Sequence, residues 1–349
     1  MLARVAVDPD AIGEPIAPRA FAKAQHAAIL DAINANGSLL FASNEDAMRF
    51  AALVRRSTSL PPGVGQKWAT ALVELNKLGR VSVDKTMGER SLASFDEVDT
   101  FKQAWAGRVE VAVFDQRGAE ALGVPEDDGF VNFEESDLEV ARLFALSGTR
   151  AFSHLRTVAE TGYLEYDAPR EAFWRDVLQP LARPSKVVTI LDRYLLSGLW
   201  RRNEHRPQSY RWEPEHVVWL LDKLGDAMPA GAQVELLTVV DDEFVRTNKA
   251  ESAGRLIREF WKRADRGRLG EIRLSVAGDR RNFPHDRHIR FSSGTAIIFG
   301  AGLDRLSRPR VWDESGMAWS YKWHPDALRP LREREAQVRD LRSLDTCVL

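Results

Sequence analysis

Along the chain, apolar positions switch repeatedly between a two-residue and a 3.6-residue period. The opening "ARVAVDPD" alternates at Val5 and Val7 and halts at Pro9, which predicts a short buried strand ending at Asp8. "AFAKAQHAAILDAINANG" then carries helical spacing and stops at Gly37, "SLLFAS" predicts a second strand, and "NEDAMRFAALVRR" predicts a helix with Asn44 at its cap and Glu45 and Asp46 in its first turn. After further helix and a loop, "RVEVAVFD" predicts a strand ending at Asp115, and "ESDLEVARLFALSG" a helix opening on Glu135, Ser136 and Asp137.

Tyr163 to Pro169 carries turn residues without periodicity, and the alternation then restarts. "REAFWRDVLQPLA" predicts a helix, "KVVTILDRYLLSGLW" an apolar strand ending at Asp192, "PEHVVWLLDKLGDAM" a helix, "AQVELLTVVDD" a strand, "ESAGRLIREFWKRA" a helix, and "EIRLSVAG" and "GTAIIFGAGL" strands. The tail "PDALRPLREREAQVRDLRSLD" predicts a charged, solvated helix. Strands alternating with helices imply an α/β protein with parallel sheet, in two domains of 1–165 and 166–349.

Composition narrows the partners. The 349 residues carry 49 basic and 51 acidic side chains, so no global field draws the chain to nucleic acid or anionic lipid, and any such contact must be local. Cys347 is the only cysteine, which excludes an internal disulfide and a cysteine-based metal site and fits a reducing, cytoplasmic setting. No window approaches the roughly 18 apolar residues of a membrane span, so an integral membrane protein is not expected, while peripheral lipid contact stays open. Eight of the ten tryptophans lie in the second half. Their spacing suits core packing, with Trp319 and Trp323 as candidates for exposed, base-stacking positions.

Parallel α/β sheets bind ligands beyond the carboxyl ends of their strands. Asp8 and Asp10 follow the first strand, Glu45 and Asp46 open the helix after the second, and Asp115 ends the third. Glu134, Glu135 and Asp137 come next. An oxygen-only group of this kind suits Mg²⁺ or Mn²⁺ acting on a phosphodiester. Capping and turn positions select the same residue types, and the sequence leaves both readings open.

The opening "VAVDPDAI", the "GSLLFASNEDAMRF" strand and helix start, and "FEESDLEVARLFALSG" resemble the PIN-like nucleases over about residues 3–155. The resemblance implies a metal-dependent nuclease with Asp8, Glu45 and Asp137 as catalytic residues. The metal ligands would be Asp8, Asp10, Glu45, Glu135 and Asp137.

In the second half, "HDRHIRFSSGTAIIFGAGLD" places His285, Arg287 and Arg290 before a strand and a Gly-Ala-Gly turn. A phospholipase D-type site pairs a His nucleophile with a cation holding the phosphoryl oxygens. Here Arg287 takes the cation's place, Ser292 stands seven residues after His285 where an Asp belongs, and the turn lacks Asn. His285-Asp286-Arg287, Arg290, Gly300 to Asp304 and the upstream Asp192-Arg193-Tyr194 resemble the C-terminal phospholipase D-like domain of MIT-domain proteins over about residues 170–325. That resemblance implies phosphate binding by His285, Arg287 and Arg290, or self-association.

The expectation is therefore a nuclease that takes nucleic acid or another phosphorylated ligand, forms a homodimer if its phospholipase D-like half needs a second motif, and serves in antiviral defence. Two alternatives stay open. One is a non-catalytic adaptor, and the other a His285-dependent phosphodiesterase working as a homodimer.

Overall fold

The computed structural model describes residues 1–16, 19–56, 59–84, 86, 91–196, 216–239, 249–261, 268–278 and 281–349. They form a mixed α/β protein of two compact units, Leu2–Val158 and Ala159–Leu349 together with Met1. No helix among the described residues is long and apolar enough to cross a membrane.

The first unit is built on β1 (Ala3–Val7), β2 (Gly37–Phe41), β3 (Val81–Val83), β4 (Val111–Phe114), β5 (Phe130–Phe133) and β6 (Leu138–Arg142). Their order across the sheet is β3-β2-β1-β4-β6-β5. All neighbours run parallel except the β5–β6 pair. The central strands β1 and β4 are almost wholly Val, Ala and Phe because both faces are covered, and β4 is buried at every position. The helices are α1 (Arg19–Asn36), α2 (Asn44–Arg56), α3 (Val64–Lys77), α4 (Val98–Trp105), α5 (Gln116–Ala121) and α6 (Arg150–Thr161). Phe50 packs edge-on against Trp68 and tilted against Phe41, while Phe101 stacks edge-on with Phe95 and Phe114.

Helix α1 passes into β2 without a loop. A Cβ on Gly37 would sit 2.9 Å from the Ile33 Cα, so the junction takes glycine. Buried Arg80 closes the helix end by donating to the carbonyls of Ile33, Asn34 and Gly37. These are carbonyls the helix leaves without partners of its own, and the guanidinium also offsets the negative end of the helix dipole.

One expected element is corrected. Residues 135–148 are not a helix: Glu134–Ser136 form a 3-10 turn, Asp137 takes a left-handed conformation at φ 48°, and Leu138–Arg142 are strand β6. A second 3-10 turn follows at Leu143–Gly148. Leu138, Val140 and Ala141 are fully buried between β4 and β5, and that pairing outweighs their helix-like apolar spacing.

The second unit carries β7 (Tyr163–Leu164), β8 (Val187–Leu191), β9 (Ala232–Val239), β10 (Leu269–Ala277), β11 (His288–Phe291), β12 (Thr295–Phe299), β13 (Met317–Lys322) and β14 (Leu344–Val348). Their order is β14-β10-β9-β8-β11-β12-β13-β7. β10, β9 and β8 are parallel and the remaining neighbours antiparallel. The tail departs from a solvated helix. Pro325–Arg339 buries Leu328, Leu331, Glu335 and Val338 along one stripe, and the chain then adds β14 to the sheet edge beside β10. Trp319 is buried at 7% exposure and Trp323 is half-buried, so neither is an open stacking platform. Trp200 and Trp212, and the parts of the expected elements at residues 197–200, 214–215, 240–242 and 262–264, lie outside the described residues.

Replacing Arg80 with Met would strand three carbonyls. The expected cost is roughly 3 kcal/mol, read as a lower urea midpoint with unchanged slope, with Arg80→Lys recovering only part of it.

Candidate functional site

In the first unit the chain moves outward from β1 to β2 and β3, then crosses to β4 on the other side of β1. The reversal leaves a crevice beyond the carboxyl ends of β1 and β4, the place where open parallel sheets bind ligands. Asp8 follows β1 and Asp115 follows β4.

Asp8 is 2% exposed. One of its oxygens accepts from Asp10 N at 3.0 Å, while its own backbone N–H donates to the Val113 carbonyl on the β4 side. Burial pushes its carboxyl up to about 6. The Asp10 N–H pulls it down, the nearby charges of Asp10 and Asp115 add to the rise, and Arg49 opposes them. Asp115 is oriented by the Gly118 N–H at 2.8 Å as the cap of α5. Glu14 accepts from Gln116 N and lies 3.7 Å from Arg142 at the end of β6, and burial raises its carboxyl as well.

At the start of α2, Glu45 is exposed whereas Asp46 is 4% exposed. Asp46 accepts from Ser91 Oγ at 2.9 Å through one oxygen, and its other oxygen is buried with no hydrogen-bond partner among the described residues. Asp46, Phe50 and Val54 are the buried residues of α2, spaced four apart. Helical phase thus identifies Asp46 as the inward acid, a signal already present in the sequence.

The expected carboxylate group does not assemble as a set. Asp137 and Glu135 precede β6, which runs parallel to β4, so they sit at the amino edge of the sheet. The length of β6, roughly 15 Å at about 3.3 Å per residue, separates them from the edge that holds Asp8. Glu135 and Glu45 are both exposed, and Asp10 is held by Arg49 through two contacts of 2.7 Å. The acids at the crevice are instead Asp8, Asp115 and Glu14, with Asp46 on the helix that packs against the Pro9–Gly13 turn.

No three His, Cys, Asp or Glu side chains among the described residues are grouped to hold a metal ion by themselves. Buried Asp8 and half-buried Asp115, whose charge opposes that of Asp8, nonetheless fit a hard cation of the Mg²⁺ type, which commonly takes one or two carboxylates and completes its shell with water and substrate phosphate. The partnerless oxygen of Asp46 is a further acceptor of the right chemistry. An apolar groove between α2 and α3, lined by Phe41, Phe50, Leu72, Val73 and Val81, offers only Arg55 and Asn76 as polar groups and holds no acid–base pair.

In the second unit, Asp192 at the end of β8 is fully buried and accepts from Tyr194 N and Leu303 N, both at 2.8 Å. It thereby ties the "LDRY" segment to the "GAGLD" turn. Burial raises its carboxyl to about 6 against the lowering effect of those two N–H groups and of Arg287, whose Nε is 3.8 Å away. Arg287 lies over the Tyr194 ring at 5.2 Å, and Arg193 Nη1 is 2.7 Å from His285 Nε2. His285, Arg193 and Arg287 therefore gather beyond the end of β8, with His285 exposed.

Arg290 does not join them. It makes 2.7 and 2.5 Å bonds to Glu335, which also binds buried His288 at 3.0 Å, so its role is in the packing of the C-terminal helix. Ser292 sits at the far end of β11 and accepts from Lys186 N and Val187 N, a structural post at the entry to β8. Asp286 pairs with Arg334.

Compared with protein-family models and with curated protein sequences, the chain matches none.

Burial raises the Glu335 carboxyl, but the bonds from His288 and Arg290 outweigh it and carry it from 4.5 to about 2. Its stabilisation is present above the unfolded value and is lost as pH falls from about 4.5 towards 2, amounting to roughly 3 kcal/mol. Urea titrations followed by tryptophan fluorescence, which reports mainly on the second half, are expected to show this loss in the wild type. Glu335→Gln is expected to be less stable at pH 7 and flat across that window.

Proposed function

We propose that the first unit is a metal-dependent phosphodiesterase of the PIN-like nuclease kind, cutting nucleic acid at the crevice between β1 and β4. The observation that carries this reading is the pair Asp8 and Asp115, which close the two strands flanking the reversal of strand order. Their mutual repulsion, part of what raises Asp8, is the electrostatic situation a divalent cation relieves. Asp8 and Asp115 hold the ion, with Asp46 as the third oxygen donor in place of Glu45, Glu135 and Asp137.

Bound there, Mg²⁺ or Mn²⁺ supplies a Lewis acid for the phosphoryl oxygen and acidifies the attacking water. The chain's own residues do the rest. The Gly118 N–H keeps Asp115 pointed into the crevice, the Asp10 N–H fixes one oxygen of Asp8, and Ser91 fixes one oxygen of Asp46. With one lone pair of each carboxylate committed, little reorganisation remains when substrate arrives.

The second unit is read as a phospholipase D-like domain that recognises phosphate groups. Its support is the convergence of Arg193, Arg287 and His285 on a loop pair locked by Asp192. A cytoplasmic role against phage or mobile nucleic acid fits this pairing of domains. An adaptor in which neither unit turns over substrate is the second reading, favoured by the displacement of Arg290 and Ser292 from the phosphate cluster.

The test is incubation of the purified protein with RNA and with single- and double-stranded DNA, with and without Mn²⁺. Metal-dependent cleavage is expected, reduced by about 100-fold or more in Asp8→Asn and Asp115→Asn and unchanged in Asp137→Asn. Cleavage that survives chelator and Asp8→Asn but disappears in His285→Ala would move the chemistry to the second unit. An absence of turnover with binding that weakens in Arg287→Ala would leave the adaptor.

A further inference from the structure

Two arginines stand at the carboxyl edge of the first unit's sheet beside the acids, and their hydrogen-bond commitments differ. Arg49 is tied to Asp10: its Nη2 meets both oxygens at 2.7 Å. Arg142, the last residue of β6, is paired in register with Phe114, the residue just before Asp115, so it borders the same crevice.

Its tethers are all long. Nη2 is 3.4 Å from Gln116 Oε1 and 3.7 Å from Glu14 Oε2, beyond a good charge-assisted bond. Nε is buried and has no partner among the described residues. The guanidinium plane is nonetheless held, with its carbon 5.0 Å from the centre of the Phe144 ring, and the side chain is only 16% exposed. A largely buried cation whose Nη end is only loosely tethered, positioned by an aromatic ring and next to a carboxylate pair, keeps donors available for a further acceptor. A planar guanidinium offers the hydrogens of its two Nη nitrogens as a fork that matches two oxygens of a phosphate.

We infer that Arg142 is the substrate-phosphate ligand of the crevice, donating through its Nη hydrogens to the scissile phosphate while Asp8 and Asp115 face its other side. The assignment rests on the phosphodiesterase reading above and adds the residue that receives the phosphate. Glu14 is its resting partner, which the arriving phosphate displaces, and Arg142 stabilises the charge that builds on the phosphoryl oxygens as the bond breaks.

The experiment uses the full chain and 20-nucleotide RNA and DNA single strands labelled with fluorescein. In Mn²⁺, Arg142→Ala is expected to lower kcat by about 100-fold and Arg142→Lys, which keeps the charge and loses the fork, by about 10-fold. In an Asp8→Asn background, where the strand is bound and not cut, adding Arg142→Ala is expected to weaken binding about tenfold. It should also reduce the slope of log affinity against log salt by about 0.7, the signature of one lost phosphate contact on a single strand. Thermal melts of the Arg142 variants check that the fold is retained, and Arg142→Gln serves if the alanine variant does not fold.

Wild-type cutting that depends on Asp8, combined with Arg142 variants of unchanged kcat, affinity and salt slope, overturns the Arg142 assignment and leaves the phosphodiesterase reading intact. Cutting that Asp8→Asn does not affect, or no cutting at all, removes that reading and the Arg142 assignment with it.

Discussion

The parallel pairing of β1 with both β2 and β4 is the constraint on which the rest of the first unit depends. It buries Ala3 to Val7 on both faces and sends Asp8 into the sheet's carboxyl edge at 2% exposure. Because β4 is parallel to β1, Asp115 arrives at the same edge, and because β6 is parallel to β4, Arg142 does too. Polarity alone thus sorts the polar residues. Those that follow a strand meet at the crevice, and those that precede one, such as Asp137, are carried to the opposite edge.

Burial then sets the electrostatics. Burial raises the Asp8 carboxyl first of all, and the charges of Asp10 and Asp115 add to that rise. The fold tolerates it because backbone N–H groups from Asp10 and Gly118 satisfy part of each acid. In the second unit Asp192 is in the same position, buried at the end of β8 and satisfied by two N–H groups, but its work is structural. It joins the strand end to the Gly300–Asp304 turn and steadies Arg287.

Much of this was legible in the sequence, and the failures have physical causes. The strand before Asp8, helix α2 and the strand before Asp192 are local patterns, and the structure keeps them, although α2 is capped by Ser43, whose Oγ accepts from Asp46 N at 3.0 Å, and not by Asn44. Strand β6 was misread because Leu138, Val140, Leu143 and Leu146 also satisfy helical spacing, and only the neighbours β4 and β5 decide between the two. At the start of α2, helical phase with Phe50 and Val54 selects Asp46, not Glu45, as the inward acid. The partnership of Arg290 with Glu335, 45 residues apart, has no local signal at all. Neither has the loose tethering of Arg142, since the length of a hydrogen bond is a property of the folded surroundings.

The central claim is that Asp8 and Asp115, not Asp137, form the ion-binding edge. Mn²⁺ binding followed by electron paramagnetic resonance tests it most directly, independently of any substrate. The account predicts binding by the wild type that is retained in Asp137→Asn and lost or weakened by about 10-fold or more in Asp8→Asn and Asp115→Asn. Binding that persists in both of those variants, or that disappears in Asp137→Asn, would contradict it.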